Sequence, residues 1–381
     1  MCEIYKRCPQ PVERKSKRLL TCLLLDCWQR EYDQRPYRNF RFNALDFEER
    51  MHRKFHPVYD FMVIVRFLKE RTLCTARLTG FNLLPYEHEV LQSFTESLTN
   101  LRRIELRLIY LPTRFFELLR DRVALMSVKE LILEGSTLTT PAIEALHVFV
   151  TESQILRHLN VSNCSVSQYD FPLLADSVHK SVSMRSFICN RLVGKRMPLD
   201  TTKIAHIVSS LIWQNKLEEL EMQKCELQAR DMELISEYLE TPASKMRKLN
   251  FAYNIIGPDG AEYLFRALVL SNTLTSLNIG GNNLGTHGGR TVANYLSACY
   301  FLIHLNITWN GICPDAMNLI LTAIKKPVKL HRLEIFGNRF DAKSGTILRR
   351  LLDARVVPQE NIDVISVYDE SIAKYRVTRY D

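Results

Sequence analysis

The side chains able to do chemistry are numerous in this chain, but their spacing does not assemble a reactive site. Ten cysteines, at positions 2, 8, 22, 27, 74, 164, 189, 225, 299 and 313, include no C-x-x-C pair, and most lie inside apolar stretches. That pattern is expected of free buried thiols in a reducing compartment, not of disulfides or a tetrahedral zinc site. No G-x-x-x-x-G-K-[ST] phosphate loop, H-E-x-x-H zinc helix or G-x-S-x-G nucleophile elbow occurs. Catalytic residues, a cofactor and a metal are therefore not expected. What remains are side chains that bind: Arg77, Arg103 and Arg107, followed by blocks of acid at Glu130, Glu134, Glu219 and Glu221, and then the aromatics Tyr253, Trp309 and Phe336. Arginines and large aromatics are the residues in which binding energy tends to concentrate.

The elements that position them follow from a repeat. Leu274, Leu277, Ile279, Asn282 and Leu284 form the pattern L-x-x-L-x-L-x-x-N-x-L, which returns 28 residues later as Leu302, Leu305, Ile307, Asn310 and Ile312. Further copies begin at Leu73, Leu101, Val128, Leu156, Met184, Leu217, Met246 and Leu330, at intervals of 28, 27, 28, 28, 33, 29, 28, 28 and 28 over the ten. The fourth and sixth residues of every copy are apolar. Alternation predicts a short strand with those two facing the core and the third, fifth and seventh facing solvent. At the ninth position an asparagine can bond the neighbouring turn's backbone, so Asn254, Asn282, Asn310 and Asn338 are expected to form a structural ladder. Ser136, Cys164 and Cys225 read as small substitutes, while Phe81, Ile109 and Leu192 depart from the rule.

The second half of each copy reads as a helix. After Ile256 come Gly257, Pro258 and Asp259, then Ala261, Leu264, Phe265 and Leu268 at helical spacing. Residues 16 to 31 and 44 to 71 also read as helices, the second with a break at Pro57, and Ile362 to Tyr368 alternates as a terminal strand. The copy at Met184 is five residues longer than the usual 28, around Gly194 to Pro198, which suggests a loop.

The pattern is that of a leucine-rich repeat, and the period near 28 with a full helix per copy resembles the ribonuclease-inhibitor-like subfamily. The resemblance implies an α/β horseshoe solenoid in three parts: a basic, helical N-terminal region and cap (1–72), the repeats (73–353) and a C-terminal cap and tail (354–381). On the third, fifth and seventh positions the three arginines would lie on the inner wall of the horseshoe. Tyr253 and Trp309 would stand just before ladder asparagines, with Phe336 at a strand edge. The resemblance implies a non-catalytic scaffold for protein–protein interaction. The layout of helical region, repeat array and short cap is similar to the testis-expressed group of dynein regulatory complex subunits, which implies axonemal protein partners in a cilium or flagellum. Two relatives in the wider family offer alternatives. A GTPase activator of the leucine-rich Ran-regulator type would use one of the arginines, but its acidic tail has no counterpart in the basic Lys374 to Arg379 segment. The ribonuclease inhibitor is expected to be acidic and richer in cysteine than this chain.

Composition agrees with a folded chain. Of 381 residues 46% are hydrophobic and 24% charged. The net charge is +9, and residues 1–72 hold 16 Lys and Arg against 10 Asp and Glu. An excess so interspersed with acids is the pattern of a solvated face, so nucleic acid is not the expected partner. The longest apolar run, Leu19 to Leu25, is far short of the roughly 18 to 20 residues a spanning helix needs, and neither a membrane span nor a cleaved leader is expected. A cytoplasmic location follows as the expectation.

Overall fold

The computed structural model describes residues 15–36, 38–44, 61–84, 88–167, 169–192, 211, 213, 216–324 and 330–380, and the chain divides into two compact units, 1–184 and 185–381. Both are leucine-rich-repeat α/β solenoids, in which each apolar strand lies beside the next and a helix covers the back.

The first unit runs α1 (Lys15–Gln34), β1 (Asn39–Asn43), α2 (Phe61–Glu70), β2 (Thr75–Thr79), α3 (His88–Leu98), β3 (Arg103–Arg107), α4 (Thr113–Asp121), β4 (Glu130–Ile132), α5 (Thr140–Glu152), β5 (His158–Asn160) and α6 (Phe171–Lys180). Its strands pair in parallel in chain order, with Arg41 opposite Arg77, Arg77 opposite Glu105, and Glu105 opposite Ile132. The fourth and sixth residues of each copy, such as Ala76 and Leu78 or Ile104 and Leu106, are buried against the helices. Fixing the register this way decides the open face, because a slip of one residue would turn every apolar side chain outward.

The second unit runs β6 (Ser186–Ile188), β7 (Glu219–Glu221), α7 (Ala229–Leu239), β8 (Lys248–Asn250), α8 (Gly257–Leu270), β9 (Ser276–Asn278), α9 (Gly285–Tyr295), β10 (His304–Asn306), α10 (Pro314–Ala323), β11 (Arg332–Glu334), α11 (Ala342–Asp353), β12 (Val364–Asp369) and β13 (Lys374–Arg379). Strands β6 to β11 are again parallel and in register, Ser276 facing His304 and His304 facing Arg332.

The asparagines at the ninth position bond successive turns. Asn282 Oδ1 accepts from Asn254 N at 3.1 Å, and Asn310 Oδ1 accepts from Asn282 N at 2.8 Å. Asn338 Oδ1 accepts from Asn310 N at 3.1 Å, and Asn254 Oδ1 accepts from Cys225 N at 2.8 Å. Each amide nitrogen donates back to the sixth residue of the copy before, as Asn282 Nδ2 does to Phe251 O at 2.9 Å. Cysteine can take over that donation: Cys164 Sγ reaches Leu133 O at 3.0 Å and Cys225 Sγ reaches Cys189 O at 3.3 Å. Ser136 cannot. Its shorter hydroxyl is buried without a hydrogen-bond partner, so the serine fills the position without bridging it. Phe81, Ile109 and Leu192 are buried as well. In these three copies the ninth side chain joins the apolar core instead of bonding, and the strands Thr75–Thr79 and Arg103–Arg107 form without a ladder amide.

Both ends differ from the sequence expectation. The N-terminal region is not wholly helical, because Phe40 and Phe42 of β1 turn inward and extend the sheet ahead of the copy at Leu73. Trp28 of α1 seats on this strand edge-on, its ring 5.0 Å from Phe40 and 5.2 Å from Phe42, with Phe67 of α2 at 5.8 Å. Of the helix expected over 44–71, only Phe61–Glu70 lies among the described residues as helix, and the expected break at Pro57 lies outside them. The long loop around Gly194 to Pro198 also lies outside them. At the C-terminal end the expected single strand is one arm of an antiparallel hairpin, Val364 opposite Arg379. Asp363 closes the last repeat: its carboxylate accepts from Ile335 N at 2.8 Å and Phe336 N at 3.1 Å, satisfying the two backbone donors that follow β11. Burial pushes its carboxyl above the usual range, against those two hydrogen bonds.

Candidate binding surfaces

In the first unit the open-face arginines are held by a carboxylate that sequence alone places in solvent. Glu105, the fifth residue of its copy, is only 1% exposed. It accepts from Arg77 Nε at 2.5 Å and Nη2 at 2.9 Å, from Arg103 Nε at 2.7 Å and from Arg107 Nε at 3.1 Å. On their far side Arg103 donates to Glu130 at 2.6 Å and Arg107 donates to Glu134. Burial alone would raise the Glu105 carboxyl; the hydrogen bonds from Arg77 and Arg103 outweigh it and bring the pKa down to about 2. The same hydrogen bond raises the Arg77 guanidinium above its ordinary value. Arg77, Arg103 and Arg107 are thus brought together in one rigid fork, each with a side chain 34% to 38% exposed.

The second unit presents a different wall. Its fifth-position asparagines turn back on their own strands: the side-chain oxygens of Asn250, Asn278 and Asn306 accept from Ala252 N, Gly280 N and Thr308 N, at 3.3, 3.0 and 3.0 Å. With Lys248, His304 and Arg332 they line a shallow groove across β8 to β11. Lys248 Nζ is clamped by Glu219 at 2.5 Å and Glu221 at 2.6 Å. Burial would lower its pKa, but the two carboxylates raise it, so the lysine stays charged. Glu221 and Asn250 are buried although the alternation assigns them to solvent, because neighbouring polar chains cover them.

Above this groove stand the aromatics, at the eighth position of their copies. In all ten copies that residue has positive φ: Gly80, Leu108, Gly135, Asn163, Arg191, Lys224, Tyr253, Gly281, Trp309 and Gly337. The chain leaves each strand there through a left-handed turn, which glycine adopts freely and a bulky L-residue adopts at a cost of about 1–2 kcal/mol. Tyr253 (φ 59°) and Trp309 (φ 54°) accept that conformation and remain 49% and 57% exposed. Each lies over a glycine of the next copy. A Cβ on Gly281 would stand 2.5 Å from the Tyr253 ring, and one on Gly337 would stand 2.3 Å from the Trp309 ring. Lys224 Nζ sits 4.9 Å from the Tyr253 ring centroid, and Phe336 meets Trp309 edge-on at 5.5 Å with Arg379 over its other side at 5.6 Å. The structure therefore joins Trp309 and Phe336 and places Tyr253 separately on the same edge. The four glycines at the eighth position were the sequence signal for this turn.

Three of the buried thiols are poorly disposed to react. Burial pushes Cys164 and Cys299 up to about 12 and Cys189 well above its ordinary value. Cys313 is held below its ordinary value, first by a hydrogen bond to Thr286 and then by the Ala316 N–H at the start of α10. Among the described residues no group of three or more His, Cys, Asp or Glu could hold a metal, and no helix is long and apolar enough to cross a membrane.

Comparison with known proteins agrees with the repeat. The Leucine Rich repeat family model matches residues 243–265 and 270–293, which span β8 and β9 with their helices. The human NACHT, LRR and PYD domains-containing protein 5 is 22% identical over 248 residues, covering 65% of this chain. The chain spans only 20% of that relative's length. Among solved structures, an internalin from Listeria monocytogenes str. 4b F2365 aligns over 74% of this chain and 72% of its own at 14% identity, with a TM-score of 0.41. The TLR13–ssRNA13 complex aligns over 72% of this chain and 41% of its own, also at 14% identity, with a TM-score of 0.37. The strand–turn–helix copies and the asparagine ladder that bonds successive turns build a leucine-rich-repeat solenoid, and the family model matches two of those copies.

Proposed function

We propose that this chain is a non-catalytic scaffold that binds a protein partner along the aromatic edge of its second unit. One observation carries the reading: Tyr253 and Trp309 occupy left-handed positions where glycine would be free of strain, as it is at Gly281 and Gly337, yet both are large and half exposed. Large aromatic rings left exposed on an open edge are where binding energy tends to concentrate, so these side chains are assigned to a contact outside the chain. The relative and the family match support protein interaction in general terms.

The finer reading places that partner among the axonemal subunits of a dynein regulatory complex in a cilium or flagellum. Its support is the layout of a basic N-terminal region, a repeat array and a short cap. The alternative of GTPase activation is weakened because Arg77, Arg103 and Arg107 are each engaged with glutamates, whereas an arginine finger must be free to enter a partner's phosphate site.

The test is affinity purification from ciliated and non-ciliated cells with the native chain and with Trp309→Ala. The expected result is a partner retained by the native chain and weakened about 30-fold, or about 2 kcal/mol, by the substitution, with the thermal midpoint unchanged. Equal recovery with Trp309→Ala removes the aromatic edge from the proposal. Absence of every axonemal protein from the ciliated sample removes the finer assignment.

A further inference from the structure

The open face of β1 and β2 carries Asn39, Arg41 and Asn43 on one strand and Thr75, Arg77 and Thr79 on the other, alternating with the buried Phe40, Phe42, Ala76 and Leu78. No carboxylate stands among these six outward positions. Arg41 is paired in register with Arg77, so the two Cα atoms stand side by side at the interstrand spacing of about 4.8 Å. Arg41 is exposed and makes no hydrogen bond or ion pair with any described residue. Arg77 spends Nε and Nη2 on the buried Glu105, and its Nη1 has no partner among the described residues. Like-charged side chains directly opposite on neighbouring strands are destabilising, and no described residue of the first unit neutralises Arg41.

The arrangement beneath them is a built support. Glu105 holds Arg77, Arg103 and Arg107 from below, and Glu130 and Glu134 neutralise only the side away from β1. Four arginines therefore face three glutamates, with the surplus positive charge on the β1–β2 side. We propose that this ledge receives an acidic, extended segment of a protein partner, with Arg41 and Arg77 each taking a carboxylate. Acids two residues apart on an extended chain stand about 6.6 Å apart, a span that Arg41 and the remaining Nη1 of Arg77 on the adjacent strand can meet, Arg41 with a forked contact and Arg77 with a single one. Asn39, Thr75 and Thr79 flank them with hydrogen-bonding groups suited to a peptide backbone. A long polyphosphate fits less well, because Glu130 and Glu134, with side chains 39% and 30% exposed, repel an anion continuing past β3. This inference shares with the proposed function the view of the chain as a binder, but it does not involve the aromatic edge.

The test is fluorescence anisotropy with labelled hexaglutamate and with a labelled single-stranded oligonucleotide carrying six phosphates, on the full chain, Arg41→Glu and Trp309→Ala. Hexaglutamate is expected to bind the native chain, to weaken at least 10-fold on Arg41→Glu and between 50 and 300 mM salt, and to be unaffected by Trp309→Ala. A partner lost by Trp309→Ala while hexaglutamate binding persists separates the two surfaces. No hexaglutamate binding, equal binding by Arg41→Glu at an unchanged thermal midpoint, or tighter binding of the oligonucleotide through Arg41 overturns the proposal.

Discussion

Replacing Asn282 with alanine is expected to destabilise the second unit by about 4 kcal/mol, because each buried backbone group left without a partner costs about 1–3 kcal/mol. The amide is 0% exposed. Its oxygen accepts from Asn254 N at 3.1 Å and Ile256 N at 3.4 Å, and its nitrogen donates to Phe251 O and Ile279 O, both at 2.9 Å. Alanine removes all of these. Cys225 at the equivalent position donates to Cys189 O through sulfur. Cys225→Ala is therefore expected to cost only about 1 kcal/mol, as for one ordinary hydrogen bond. Urea denaturation of the two variants checks the difference, and equal midpoints would show that the ladder amide is not what binds successive turns.

The second large effect is at Glu105. Glu105→Gln keeps the shape but leaves Arg77, Arg103 and Arg107 facing one another over a neutral amide. Removing one partner of a fully buried ion pair costs about 3–5 kcal/mol. Here the arginines are about a third exposed and can recover hydration, so about 2–3 kcal/mol is expected. The pH dependence has a definite sign. The folded pKa of Glu105, about 2, lies below its ordinary 4.5. Its stabilisation is therefore complete above pH 4.5 and is lost as pH falls from there towards 2. Thermal midpoints of native and Glu105→Gln chains should differ most at neutral pH and converge near pH 2. A gap that stays constant over this range would mean that the carboxylate charge is not what holds the arginines.

Particular residues show what was legible beforehand. The strands and helices of the repeats followed from Leu277 and Ile279 and their counterparts, since a period near 28 with two apolar positions two apart leaves one register that buries both. Strand β1 was hidden because Phe40 stands 36 residues before its paired counterpart Ala76, off the period. The burial of Glu105 was illegible because alternation assigns its position to solvent, and only three arginines arriving from two strands make its desolvation tolerable. The left-handed eighth position was written in Gly80, Gly135, Gly281 and Gly337 but masked by the six copies with side chains there. Strand β13 was missed because Lys374, Arg376 and Arg379 read as a basic tail. In the hairpin these charges lie on an exposed strand, where they discourage edge-to-edge pairing. The three arginines and three aromatics singled out by type are on the open face or its edge, but the arginines prove to be bound to one another through glutamates, and Arg41 beside them was not singled out at all.

The proposed function rests on Trp309 meeting a partner. The most direct measurement is to replace it in cells with a photo-crosslinking phenylalanine analogue, and to do the same at Leu319, which is 48% exposed on α10 and equally accessible to bystanders. Irradiation should yield a discrete adduct of this chain with another protein from position 309 and none from position 319. Adducts absent at 309, or identical from both positions, would contradict a partner held on the aromatic edge.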